Sequence, residues 1–377
     1  MVKRAPLYCA TDKEIFDALA SSPQHFTQSA LMGLGKKRGI FYSPLSGRMQ
    51  LCSDISILGF GFNEIAEIQG EFEKFTRGEK RTFKHLQTGL TLEEFRAIAE
   101  RYQHDAEAEG DKVSSYNSGT TQFGINVKYD EIDFSKTRLR QRQRREASIE
   151  LKVRDGETII SYPSNEKVQQ IVEGLIERAK AEKKEPIKVD EVDLSWIPNP
   201  DLRTKFFQEL IRNVPGFILH DVTHVQVDIG EAAPADDPEL SEDAENEKKA
   251  VEEEIASIVK DIALHGKALH LSPEYKRLKE KGFFLTSINW SGRRISSPHD
   301  IVQFDAAFDN PAAGVGYKYG VRTWKVPLET GEISKNWATI PADEKTKLSS
   351  LLQQASMTTY LKIKKEYEET TSKGEPL

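Results

Sequence analysis

Along the first hundred residues apolar positions recur every three or four places, and after residue 122 they alternate; the change of period predicts a helical module followed by strand-bearing domains. Ile15, Phe16 and Leu19 form an apolar stripe behind Thr11 and Glu14, the pair of a capping box. Pro23 separates that helix from a second, with Thr27 as its cap and Gly39 as its stop. A third short helix is expected from about 47 to 58 and two more within 63–109, the last opened by a second capping box at Thr91 and Glu94.

Beyond a polar Gly/Ser/Asn-rich stretch at 106–121, expected to be a linker, Phe123, Ile125, Val127 and Tyr129 share one strand face. A second strand (ASIELKVRD), a turn at Asp155-Gly156 and a third strand (ETIISYP) make a hairpin pattern. Residues 165–184 read as an amphipathic helix, DLRTKFFQELIRNV as another, and 216–229 as a strong strand. A helix from near Ala250, a short one from Ser272-Pro273-Glu274, three further strands and a long terminal helix complete the pattern. Strands and helices do not alternate regularly, so the expected class is α+β with antiparallel pairing rather than a doubly wound sheet. The domain plan is a helical module at 1–105, the linker at 106–121, an α+β domain at 122–229, an acidic flexible loop at 230–249 and an α+β region at 250–370.

Composition narrows this little. With 377 residues there is room for two or three cores, and 30% charged residues is polar but far from a disordered composition. The net charge of −7 argues against a chain coated in positive charge, yet nucleic-acid affinity follows the charge that locally faces the phosphates. Two cysteines make neither a disulfide framework nor a four-thiolate zinc site. No apolar run approaches twenty residues, so no membrane partner is expected and the cytoplasm is the expected compartment.

Against this acidic background residues 137–153, TRLRQRQRREASIELKV, stand out: five arginines fall within eight positions. On a strand Arg138, Arg140, Arg142 and Arg144 would project from one face about 6.8 Å apart, with Arg145 beside them, near the spacing of phosphates on an extended backbone. The planar guanidinium suits phosphate because it pairs bidentately. The alternatives are an edge strand protected by charge, or pairing with the acidic residues of 228–254.

A second basic cluster lies in residues 29–58, where Leu31 and Leu34 precede Lys36, Lys37, Arg38, Gly39 and Ile40, followed by Gly47, Arg48 and Leu51. This stretch resembles the SAP and LEM-like helix–extended loop–helix motifs, small modules that often bind DNA or chromatin-like partners. The resemblance implies that Lys36, Lys37, Arg38 and Arg48 meet phosphates around the start of the second helix.

The Glu150-Leu151-Lys152 element resembles the active-site strand of restriction-type nucleases, with Asp133 (or Asp130) upstream as the further carboxylate; this implies Mg²⁺ as the only cofactor in prospect. The same Glu-x-Lys spacing recurs at Glu182, Glu247 and Glu274, as chance and strand alternation allow. His220 and His224 would stand about 13 Å apart on a strand, too far to share a metal ion. Phosphate-loop, nucleophile-elbow and HExxH motifs are absent. The aromatics around Trp290, Phe304 and Phe308 are expected to be core.

The expectation is therefore a non-enzymatic nucleic-acid-binding subunit, DNA favoured, of a larger bacterial complex, with phage defence as one such setting. The competing expectations are a Mg-dependent nuclease and a protein–protein adaptor.

Overall fold

The computed structural model describes residues 9–73, 79–87, 90–109, 112–117, 121–154, 156–183, 186–197, 200–229, 252–253, 255, 283–297, 299–325, 334 and 336–372. These contain eight helices and eleven antiparallel strands, an α+β architecture ending in a long helix. None of the described helices is long and apolar enough to cross a membrane. The acidic stretch at 230–249, the short helix expected from Ser272 and most of the helix expected from near Ala250 lie outside the described residues.

The chain forms two compact units, each assembled from separated stretches: 1–77, 89–158 and 167–186 in the first, 78–88, 159–166 and 187–377 in the second.

The first unit begins with α1 (Asp12–Ala20), α2 (Gln28–Lys37), α3 (Arg48–Ser56) and α4 (Phe62–Glu73). The α1 capping box is in place: the Glu14 amide donates to Thr11 Oγ1 (3.3 Å) and the Thr11 amide to Glu14 Oε2 (2.9 Å). Thr27 caps α2, and Gly39 follows that helix at φ +76°, a conformation only glycine adopts cheaply. Ile15, Leu19, Phe26, Leu31, Leu51, Ile55, Ile65, Ile68 and Phe72 close a single helical core.

α5 (Leu92–Glu109) then packs on a sheet of β2 (Lys112–Asn117), β3 (Gln122–Ile132) and β4 (Arg142–Arg154), paired antiparallel in that order. The linker expected at 106–121 is thus corrected: it holds the end of α5 and β2. Its composition misleads because β2 is an edge strand that buries only Val113, so it carries no apolar alternation. After β5 (Glu157–Pro163), α6 (Glu166–Lys183) buries Val168, Ile171, Val172, Leu175, Ile176 and Ala179, the stripe expected of its period.

The second unit pairs β1 (Arg81–Gln87) with β6 (Lys188–Asp190) and with β10 (Val315–Lys325), then continues through β9 (Ile301–Asn310), β8 (Phe283–Arg294) and β7 (Phe217–Ile229). β11 (Ala338–Thr339) adds to β10. α7 (Pro200–Arg212) packs on β8, and α8 (Ala342–Ser372) packs on α7 and β10. Between helices and sheet lie Trp290, Phe304, Phe206, Phe207, Phe308 and Tyr317, so these aromatics are core. β1 is the strand that periodicity hides: Phe83 and Leu86, three apart, are its buried positions.

Candidate nucleic-acid interface

The arginine run is not one row. β4 begins only at Arg142; residues 137–140 turn, with the Arg140 amide donating to Thr137 O (2.7 Å) and the Asp133 amide to Gln141 O (2.8 Å). The cause is Leu139, the one apolar side chain in TRLRQRQ. It is 1% exposed and belongs to the core of α1–α4, where Gln69 Nε2 donates to its carbonyl (3.4 Å). Its neighbours fasten the same joint. Arg138 Nη1 donates to Glu14 Oε1 (2.8 Å), so one carboxylate caps α1 with one oxygen and holds the arginine with the other. That bond, with the Thr11 amide, keeps the Glu14 carboxyl below its usual range. Arg140 lies 5.2 Å over the Phe72 ring and reaches Ser21 Oγ (3.5 Å). The expected four-arginine face is corrected: Arg138 and Arg140 tie the β3–β4 connection to the helices.

From Arg142 onward strand alternation sorts the side chains. Ala147, Ile149 and Leu151 are buried, and Arg145 on that face pairs with Glu131 at 2.8 Å. Among the described residues nothing packs over the other face, where Arg142, Arg144, Glu146 and Lys128 are exposed. β4 places Arg142, Arg144, Glu146, Ser148, Glu150 and Lys152 on it. The register adds Asp130, Lys128, Asn126, Gly124 and Gln122 from β3, and Lys112, Ser114 and Tyr116 from β2. Five cations meet three carboxylates there, a local excess of positive charge in a chain of net −7. Arg142 pairs with Asp130, Lys128 with Glu146 (3.2 Å), and Arg144 Nε stands 4.0 Å from Asp130 Oδ1 with its side chain 69% exposed. Solvent-exposed pairs of this kind are worth roughly 0–1 kcal/mol, so a phosphate can exchange for the carboxylate at little cost.

The helical-module cluster also divides. Arg48 donates to the carbonyls of Leu19 (2.5 Å), Ala20 (3.2 Å) and Phe26 (3.0 Å), closing the C-terminal end of α1. Arg38 donates to Leu58 O (2.7 Å) and Gly59 O (2.8 Å), pairs with Glu64 and lies 4.3 Å over Phe60. The Gly61 amide and that guanidinium hold the Glu64 carboxyl low. Both arginines therefore have intramolecular partners that fasten the helical module. Lys37 pairs with Glu67 (2.8 Å), which raises its ammonium pKa, and Lys36 is exposed in the last turn of α2.

The nuclease constellation does not assemble. Ile132 faces Arg142 and Gly124 faces Glu150 across the β3–β4 ladder. Glu150 therefore stands at the far end of the hairpin from Asp133, about 27 Å away for eight residues of strand. Glu150 and Lys152 do share a face. Asp133 instead accepts from the Ser135 amide (3.0 Å) and hydroxyl (2.6 Å) and pairs with Lys136 (3.0 Å), which brings its carboxyl down to about 2. Among the described residues no cluster of three or more His, Cys, Asp or Glu fits a metal ion. His220 and His224 lie on β7, and His220 Nδ1 is 3.2 Å from Arg293 Nη2.

Sequence reasoning missed Lys112, Lys128 and Tyr116. Recognising KVSSYN as an edge strand paired with the strand that starts at Gln122 is the one step that aligns them with Arg142 and Arg144. No protein-family model matches the chain, and no curated protein matches it in sequence.

Proposed function

We propose that this chain is a non-enzymatic nucleic-acid-binding subunit, a recognition or scaffold component that contacts the polymer, DNA being the expected one, through the open face of β2–β3–β4. The observation that carries the reading is the gathering of Arg142, Arg144, Lys128, Lys112 and Lys152 on one sheet face that no described residue packs over and whose ion pairs are solvent-exposed. Compared with the sequence expectation, the site loses Arg138, Arg140, Arg145, Arg38 and Arg48 to structural work and gains the lysines of β2 and β3. Phosphate contact by a handful of cations implies affinity that falls steeply with salt.

A mobility-shift titration at several salt concentrations tests this. Arg144→Ala with Lys128→Ala is expected to weaken binding and to lower the salt slope by about one for each phosphate contact removed, whereas Arg138→Ala lowers stability instead. Absence of any complex at low salt overturns the reading. It would favour the adaptor alternative, which draws on the outward Phe41, Leu45 and Met49 of the helical module, exposed by 80%, 95% and 54%.

A further inference from the structure

Among the described residues Tyr116 is the one aromatic on the open sheet face, and its setting is unusual. It lies on edge strand β2 opposite Gly124 of β3. The ring rests on that glycine so closely that a Cβ added there would stand 2.1 Å from Tyr116 Cζ. Its hydroxyl is 3.0 Å from Ser148 Oγ on β4, so the side chain crosses all three strands and is pinned at its far end. The residue remains 38% exposed. One ring face is seated on backbone, the other is open to solvent, and a ring already fixed loses little conformational freedom when something stacks on it.

We propose that this face takes single-stranded nucleic acid, with Tyr116 as the platform for one base; the proposal rests on the nucleic-acid reading of the same face. A sheet face presents no helix to enter a groove of duplex, and a paired base keeps its π-face inside the stack. An unpaired base offers that face to an aromatic ring, a contact that tolerates any base identity. Lys128 stands four residues along β3 from Gly124, about 13 Å away, and Arg144 lies further along the same direction. Lys128 and Arg144 thus line the path of a backbone leaving the ring in one direction, while Glu150 stands opposite Gly124 and Lys152 lies two residues beyond it on the other side. Ser114, Asn126 and Gln122 supply neutral donors and acceptors beside it.

The test compares a mixed-sequence 20-nucleotide DNA strand with its duplex by fluorescence anisotropy, using the full chain. The single strand is expected to bind more tightly. Tyr116→Ala should weaken single-strand binding by roughly tenfold or more while leaving duplex binding unchanged. Tyr116→Phe, which keeps the ring and loses only the Ser148 contact, should retain most of the affinity. Gly124→Ala, which must lift the ring, should behave like Tyr116→Ala, with circular dichroism checking that both variants fold. A 5-bromouracil-substituted strand should photo-cross-link to Tyr116, a readout that a purely structural tyrosine does not give. Duplex-preferring binding, or single-strand binding indifferent to Tyr116→Ala in a folded protein, overturns this inference and leaves the parent reading intact. Absence of binding to either polymer overturns both.

Discussion

Between Arg138 and Arg145 neighbouring residues of one chemistry hold different posts. Arg138 answers Glu14, Arg140 stacks on Phe72, Arg145 pairs with Glu131, and Arg142 and Arg144 face solvent beside Asp130. Identity alone cannot separate these roles, because a guanidinium serves equally as a clamp, a lid on an aromatic ring or an anion contact. Asp133 shows the same dependence on surroundings. The Ser135 hydroxyl, Lys136 and the Ser135 amide lower its carboxyl from an ordinary 3.8 to about 2. A carboxyl harder to protonate in the fold than in the open chain stabilises the fold above about pH 4 and loses that contribution as pH falls through about 2. Carbon-13 NMR of labelled aspartate should place the Asp133 midpoint near 2, and Ser135→Ala should move it back toward the ordinary value; an unmoved midpoint would show that Ser135 is not the cause.

At the scale of elements, the β3–β4 hairpin is legible in part. The alternation of Ala147, Ile149 and Leu151 was plain, and so was the glycine turn that follows, Gly156 standing at φ +82°. The start of β4 was not, because Leu139 leaves the strand pattern to join a core made by residues more than sixty positions earlier. That displacement makes Leu139 the joint between helices and hairpin. Leu139→Ala is expected to cost about 2–5 kcal/mol in urea unfolding and to speed amide exchange in α1 and at the tip of the hairpin together. A loss confined to a few tenths of a kcal/mol would mean that the site collapses without it. β1 and β2 escaped for a related reason: each buries one or two side chains, too few to set a period.

For the whole molecule, the compact units do not follow the order of the chain. Residues 78–88 and 159–166 belong with 187–377, so cutting the chain at composition boundaries severs cores. A fragment of residues 187–377 lacks β1, which pairs with both β6 and β10 and carries Phe83 into the aromatic core. It should show no cooperative thermal transition, and the full chain should show one; a sharp transition in the fragment would argue that β1 is dispensable. Even the placement of positive charge is decided at this scale. A chain of net −7 concentrates cations on one face only because three strands brought into register set Lys112 beside Lys128 and Arg144 on the same side.

By itself the sequence determined the α+β class, the caps at Thr11, Thr27 and Thr91, the helix stripes and the aromatic core strands, because each follows from spacing within one element. Tertiary structure alone decided which arginines are clamps and which face outward, that Asp133 and Glu150 stand apart, and that Tyr116 rests on Gly124. Those outcomes depend on the register between strands and on a buried leucine's distant partners, relations that no local period encodes.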